Sequence, residues 1–520
     1  MPELASSVRI LLTASEAYPA LERAFLAATS EIWASFLVFD LSTSLRSPEA
    51  LQIGKTWFDL IVHCLNRGVS INICISEVDP VARAAMHRGT SCDVRTLEEA
   101  AAAAGPVARM SAVRALHPAR TSALIRMALW VFIMKKLYRT AGWLNKLAPE
   151  DRAVALQDMD GAAKNLKLRP DGRVGVRLWS LPQLHPLVHH QKLAVFDRKR
   201  LYIGGLDLDE RRYDTPNHRR SADQTRHDVQ LMIEGSVVAE AQKHLETFRD
   251  VIAGVMPPPR TRRLLRTISR PQRDSLWRFG PDPLVNELQT AHLVLAKRAR
   301  QLIYLESQYF RDQDIARALA ACGRRQKGLQ LILILPAAPD DVAFDGRRGL
   351  DARFGEAMQA HALRILRKGL GDRLFVGSPA QPRRALPDGN GPADSRRDRL
   401  HGAPVIYVHA KVSIFDDAAG IVSSANLNSR SMRWDTEAGV YLNTRNDVLE
   451  LRHRVMAHWL PADVEAEAFN PGTARAIWTR IARANASVPP AERKGFLLPH
   501  DFAAAEAFGR KVPILPPEFV

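Results

Sequence analysis

The chain has 520 residues, 46% of them hydrophobic, enough to bury a large core and to hold two domains or one duplicated domain. Lys and Arg exceed Asp and Glu by 73 − 56 = 17, and the pI near 10.0 favours a polyanionic partner, either nucleic acid or the anionic face of a membrane. Cys64, Cys74, Cys92 and Cys322 are widely spaced with no C-x-x-C pair, which argues against a structural zinc site or disulfide scaffold and fits a reducing compartment. The first 25 residues lack a basic stretch followed by a sustained apolar core, so no cleavable signal peptide is expected. No run reaches the roughly 18 apolar residues that a spanning helix needs.

In chain order, Glu31–Leu41 reads as a β-branched and aromatic strand, and Gly68–Ile75 as a second apolar strand opened by glycine. An insertion is expected over about 85–165. It holds an Ala-rich run near Glu98–Ala104 and the segment Ala123–Met134, which is apolar except for Arg126 and is followed by Lys135, Lys136, Tyr138, Arg139, Trp143 and Lys146. That segment is too short to span a bilayer and suits either a helix at a membrane interface or one packed on the body of the protein. Arg173–Ser180 is expected as the third strand, Val188–Asp197 as the fourth and Leu201–Leu208 as the fifth. Met256–Asp274, rich in Pro and Arg, reads as a linker.

The series then repeats. Gln301–Phe310, Gly328–Leu335, Arg373–Pro379, Tyr407–Asp416 and Gly420–Leu427 match the first five strands in order and character, with a Pro-, Gly- and Asp-rich loop, 380–404, placed to form a lid. Strands alternating with helical connections predict an α/β fold, two related α/β/α sandwich domains packed as a pseudo-dimer, over 1–255 and 275–520 with a linker at 256–274.

The fourth pair of strands carries the chemistry. His190, Lys192 and Asp197 form H-x-K-x-x-x-x-D, and so do His409, Lys411 and Asp416. Residues two apart in a strand share a face, so each His projects with its Lys. Packed about a pseudo-twofold, the pairs converge on one point. One imidazole can attack phosphorus, the other can protonate the leaving alcohol and then deprotonate water, and two ammonium groups balance charge on the phosphoryl oxygens. Asp197 and Asp416 either orient the histidines or brace the motif loops. Six residues after each motif comes a small-residue turn, Gly204-Gly205-Leu206-Asp207 or Ser423-Ser424-Ala425-Asn426, able to bring backbone N–H groups and short polar side chains to an anion. His185 and His189 lack the motif spacing and read as supporting or surface histidines. Arg211, Arg212, Arg219 and Arg220 read equally as lipid-phosphate contacts or as a solvated edge.

This duplicated motif resembles that of the phospholipase D superfamily over most of the chain. The resemblance implies an active site at the interface of two α/β/α domains, His190 as nucleophile, His409 as acid and base, and Lys192, Lys411 and Asn426 as phosphate ligands. Further stretches resemble phospholipases proper: Arg212 with Asp214-Thr215-Pro216 and His218, Arg226-His227-Asp228-Val229, Glu306-Ser307-Gln308 with Phe310, and Asn428, Arg430, Ser431 and Glu437 after the second motif. Gly205, Asp207, Ser424, Asn426, Gln308 and Glu437 are accordingly expected at the substrate site. Asp207 and Ser423 depart from the Asn and Gly of many relatives, and the second departure bears on the phosphate cradle.

The leading expectation is hydrolysis of glycerophospholipids to phosphatidic acid and a head-group alcohol, with transphosphatidylation if an alcohol replaces water. A cardiolipin synthase-like phosphatidyltransferase and a nuclease of the same superfamily are the alternatives. A phospholipid membrane surface is the expected partner, with no nucleic acid, no metal and no cofactor. A monomer is expected in the cytoplasm with peripheral membrane contact, and export without a signal would leave the same sequence.

Overall fold

The structure is a computed structural model that describes residues 7–272, 280–385, 397–510 and 516–519. The first half holds β1 (Ser7–Leu12), β2 (Glu31–Phe36), β3 (Ser70–Ser76) and β4 (Met110–Ala115). After these come a hairpin of β5 (Leu166–Leu168) and β6 (Val174–Val176), then β7 (Leu193–Phe196), β8 (Arg200–Gly204) and β9 (Val229–Glu234). The second half begins with β10 (Leu264–Arg270), β11 (Asp282–Asn286), β12 (Leu302–Glu306), β13 (Gln330–Ile334) and β14 (Leu374–Pro379). A small hairpin of β15 (Arg399–Leu400) and β16 (Ala403–Pro404) leads to β17 (Val412–Phe415), β18 (Ala419–Ser423), β19 (Glu437–Leu442) and β20 (Leu497–Pro499).

The two main sheets share one topology. The first runs β1-β9-β8-β7-β2-β3-β4, and the second contains β10-β19-β18-β17-β12-β13-β14 with β11 and β20 added at its edges. In both, the two pairs after the motif strand are parallel or antiparallel alike: β7 lies antiparallel on β2 as β17 does on β12, and β2–β3–β4 and β12–β13–β14 run parallel. Each sheet is covered on both faces, which is why its strands read as apolar runs. Leu193 and Val195 join the core shared by the two sheets, whereas Ala194 and Phe196 turn to the outer core of the first half. Tyr304 and Ile332 share that common core, while Ile303 and Leu331 pack against the outer helices of the second half. The helices Val237–Ala253 and Arg445–Trp459 contribute to the layer between the sheets. The α/β architecture of two helix-covered sheets is the one expected from sequence.

Three details differ from the sequence reading. The third strand of the first half is β4, not Arg173–Ser180, whose Val174–Val176 forms a separate hairpin. Helix Ala84–Ala104, placed within the insertion of about 85–165, joins β3 to β4 just as Leu350–Leu370 joins β13 to β14. The added segment therefore lies between β4 and β7, the place where the second half carries its own loop between β14 and β17. Finally, the stretch read as a linker contains β10, which pairs with β19 and β11. Its Arg266 is buried because Glu287 neutralises the guanidinium through bonds of 2.9 and 2.8 Å. Residues 273–274 of that stretch and 386–396 of the loop 380–404 lie outside the described residues. The described ends of that loop are tied down rather than free, since Gln381 and Arg383 both donate to the Arg220 carbonyl.

Candidate active site

Two isolated parallel bridges join the halves: His189 to Thr436, and His227 to Val408. One residue further along each pair stand the reacting groups. His190 Nδ1 faces Glu437 at 3.1 and 3.2 Å, and His409 Nδ1 faces Asp228 at 2.5 Å. Each motif histidine is thus oriented by a carboxylate from the other half, at the first residue of β19 or just before β9. A carboxylate only accepts, so Nδ1 carries the proton and Nε2 is left for chemistry. Glu437 is among the residues expected at the site; Asp228 is not, although the stretch Arg226–Val229 that holds it resembles phospholipases, and it stands further along the chain from Asp207 than Glu437 does from Asn426.

The motif lysines sit beneath the histidines and are buried. Lys192 Nζ donates to the His190 carbonyl, and Lys411 Nζ to the His409 carbonyl. Lys192 also lies 3.7 Å from Asp207, which accepts from the Leu37 and Val38 amides at 2.8 and 3.1 Å and pairs with Arg212. Arg212 is therefore part of the site's charge network and not a solvated edge. Burial pushes Lys411 down to about 7 against the opposing pull of Asp228. Burial, and then the cations Lys411, Arg226, Arg212 and Lys192, push His409 well below the ordinary histidine value. For Glu437 burial acts upward, but the His190 charge and hydrogen bond, with Lys192 and Ser424, outweigh it and keep the carboxyl low. An anionic phosphodiester would offset the cations that disfavour protonated His409.

The turns after the motifs contribute unequally. Gly205 is required by packing, since a Cβ there would lie 2.5 Å from the Asp228 carboxylate. Ser424 Oγ donates to Glu437, fixing the carboxylate that holds His190. Asn426 is buried with an Oδ1 that finds no partner, and an amide flip would offer its NH2 to phosphate instead. Gln308 donates to the Tyr407 and Tyr309 hydroxyls at 2.8 and 3.2 Å, beside the strand that delivers His409. His189 supports the interface through Thr436 Oγ1 at 2.8 Å.

Asp197 and Asp416 are not brought to the reacting groups. Asp197 accepts from the Thr29, Ser30 and Glu31 amides and the Thr29 and Ser30 hydroxyls, all within 3.0 Å. Asp416 accepts from the Arg300, Gln301 and Leu302 amides at 2.8–2.9 Å. Each adopts a positive φ, 50° and 54°, at the end of its motif strand, and locks that strand to its antiparallel neighbour, β2 or β12. Their expected catalytic place is corrected to a bracing one; the orienting carboxylates are Glu437 and Asp228.

Behind Asp228, ring nitrogens of His218, His227 and His458 lie within 4.8 Å of one another, the one such group among the described residues. His218 already binds Asp214 at 2.6 Å and His458 at 2.8 Å, and His227 binds Glu306 at 3.2 Å. His227 stacks on His458, His218 meets both edge-on, and the cluster adjoins Asp228 through His227.

Residues 293–459 match a family model described as a cardiolipin synthase, phospholipase D-like domain. Phospholipase D alpha 1 of rice is 24% identical over 353 residues, covering 47% of this chain and 44% of that protein. Phospholipase D1 of Saccharomyces cerevisiae is 22% identical, covering 54% of this chain and 22% of that one. The chain thus spans less than half the length of these curated relatives. Among solved structures, a phosphatidylserine synthase of Haemophilus influenzae overlays 92% of this chain and 93% of its own at 13% identity and a TM-score of 0.45. Both copies of the motif are paired across two sheets of one topology, and the second lies within the residues that match the phospholipase D-like domain model, so in these features the chain resembles the phospholipase D superfamily.

Proposed function

We propose that the protein is a phospholipase D that hydrolyses glycerophospholipids through a covalent phosphohistidine, at the surface of a phospholipid membrane and as a monomer. The observation that carries the proposal is the reciprocal pairing of His190 with Glu437 and His409 with Asp228 above two buried lysines. His190, the more open ring at 16% side-chain exposure against 5% for His409, attacks phosphorus through Nε2. The P–N bond forms as the bond to the head-group oxygen breaks, and His409 gives that oxygen its proton. Water then attacks phosphorus, His409 takes its proton, and the P–N bond breaks to release phosphatidic acid and free His190. Lys192, Lys411 and Asn426 hold the phosphoryl oxygens. The relatives named phospholipase D support hydrolysis; the family model named for cardiolipin synthase supports a second reading, in which an alcohol takes the place of water.

The test uses phosphatidylcholine and phosphatidylethanolamine vesicles with EDTA present. Phosphatidic acid formed by the unmutated protein, and by neither His190→Asn nor His409→Asn, is the expected result. Turnover only after phosphatidylglycerol is added as acceptor would favour the transferase. Cleavage of single-stranded DNA without lipid turnover would overturn both in favour of a nuclease.

A further inference from the structure

We infer that the segment between β4 and β7 is a surface that docks on a phospholipid bilayer, an inference resting on the lipid reading above. From Ala100 to Pro149 the sequence contains eight Arg and Lys and no Asp or Glu, although Asp and Glu number 56 in the whole chain. Within this stretch, helix Trp130–Leu144 buries Ile133, Met134, Leu137, Ala141 and Leu144 against the β5–β6 hairpin. Its opposite face carries Val131, Lys135 and Tyr138 at helical spacing, flanked by Phe132, Arg139 and Trp143. Val131 is 73% exposed, an unusual place for a valine.

A second element joins this face. Arg126 donates to the Leu181 and Pro182 carbonyls at 2.9 and 3.1 Å, which holds the preceding Leu178-Trp179 tip near the start of the helix. Trp179 is 99% exposed. Indole, tyrosine and aliphatic tips, interleaved with lysine and arginine on a helix that contains no acidic residue, match the chemistry of the headgroup–acyl boundary. Single-stranded nucleic acid would use the cations and rings but has no use for Val131, Met127 and Leu178. Those residues decide for the bilayer.

The face is rigidly related to the catalytic groups. Thr121 N donates to the Leu184 carbonyl at 2.9 Å, His185 N to Asp79, and Val188 N to Asp435 at 3.0 Å, so the chain leading into His190 is clamped on both sides. Lys136 feels the charges of Arg347 and Asp351 on the second half, and Arg83 those of Arg430 and Asp435 beside the site. Docking would therefore fix the chain that leads into His190 against the membrane that holds its substrate.

The experiment compares His190→Asn protein with the same protein carrying Val131→Asp and Trp179→Ser, both exposed positions, by co-sedimentation with vesicles of phosphatidylcholine and phosphatidylglycerol. The bound fraction is expected to fall about tenfold or more, while hydrolysis of soluble bis(p-nitrophenyl) phosphate, measured with His190 intact, stays unchanged. Equal vesicle binding by both proteins, no binding by the parent, or a loss confined to single-stranded DNA would overturn the surface. Loss of vesicle binding in a protein that cleaves the soluble diester but no lipid would keep the surface and overturn the lipid hydrolase.

Discussion

The two halves of the active site stand on the same backbone and differ in what surrounds each histidine. On the first side, His190 is partly open, its carboxylate Glu437 is held low, and Lys192 faces the charged pair Asp207–Arg212. On the second, His409 is buried, Lys411 is pushed down to about 7, and the position matching Asp207 is the neutral Asn426. Equal scaffolds therefore hold unequal chemistry. The first side leaves its imidazole the more open of the two, held by an ionised carboxylate. The second becomes an acid only when an anion arrives to balance its cations. Duplication supplies the geometry, and local burial and charge assign the roles.

The bluntest way to break the comparison is to remove either imidazole. His190→Asn and His409→Asn are each expected to lower kcat by a factor on the order of 10³ or more, because the two act as a unit. Exchanging the orienting carboxylates comes next. Glu437→Gln and Asp228→Asn should each cost roughly 10²–10⁴ in kcat with little change in KM, since an amide can favour the wrong imidazole tautomer; unchanged kcat in either would remove that carboxylate from the mechanism.

A smaller effect sharpens the asymmetry. If protonated His409 is the acid, the alkaline limb of kcat/KM, which reports the free protein, should fall below the ordinary histidine value of about 6.5, and that of kcat should lie at higher pH. The sign follows from the cations that lower His409 and are balanced by bound phosphate. Coincident limbs would contradict it. In the same way, inhibition by vanadate should weaken as pH rises through about 7, where Lys411 loses its proton. The smallest effect on catalysis is expected from Asp197→Ala. Burial acts to raise Asp197, but bonds from Glu31, Ser30 and Thr29 outweigh it and lower the carboxyl. Its contribution is present above the unfolded value of about 3.9 and is lost as pH falls below it. The variant should lose about 1–3 kcal/mol in urea unfolding at pH 7, with less loss at acid pH and a kcat within a few-fold.

The motifs were legible because a two-residue strand period and a fixed offset to the following turn leave little freedom. His190, Lys192, His409 and Lys411 converge as that spacing requires. The role of Asp228 was hidden by a longer connection, in which the Asp214–His218 stretch separates it from Asp207. β4 was missed for a different reason. It is an edge strand with partly exposed residues, MSAVRA, and has no continuous apolar run, whereas the buried VGV of β6 has one. β10 lay concealed among prolines and arginines, since a buried arginine with a carboxylate partner looks like linker composition. Asp197 and Asp416 share the motif's spacing but face the opposite end of the strand, a distinction that sequence alone does not draw.

The most direct test of the central claim traps the intermediate. Protein carrying His409→Asn would be mixed with phosphatidylcholine, quenched in alkali to preserve the P–N bond, digested and examined by mass spectrometry. A phosphatidyl adduct on the peptide containing His190, absent when His190→Asn is added, is the result the account predicts. An adduct on His409 in the His190→Asn protein, with none on His190 in any form, would reverse the roles of the two halves; turnover by the unmutated protein with no adduct in either variant would contradict covalent catalysis itself.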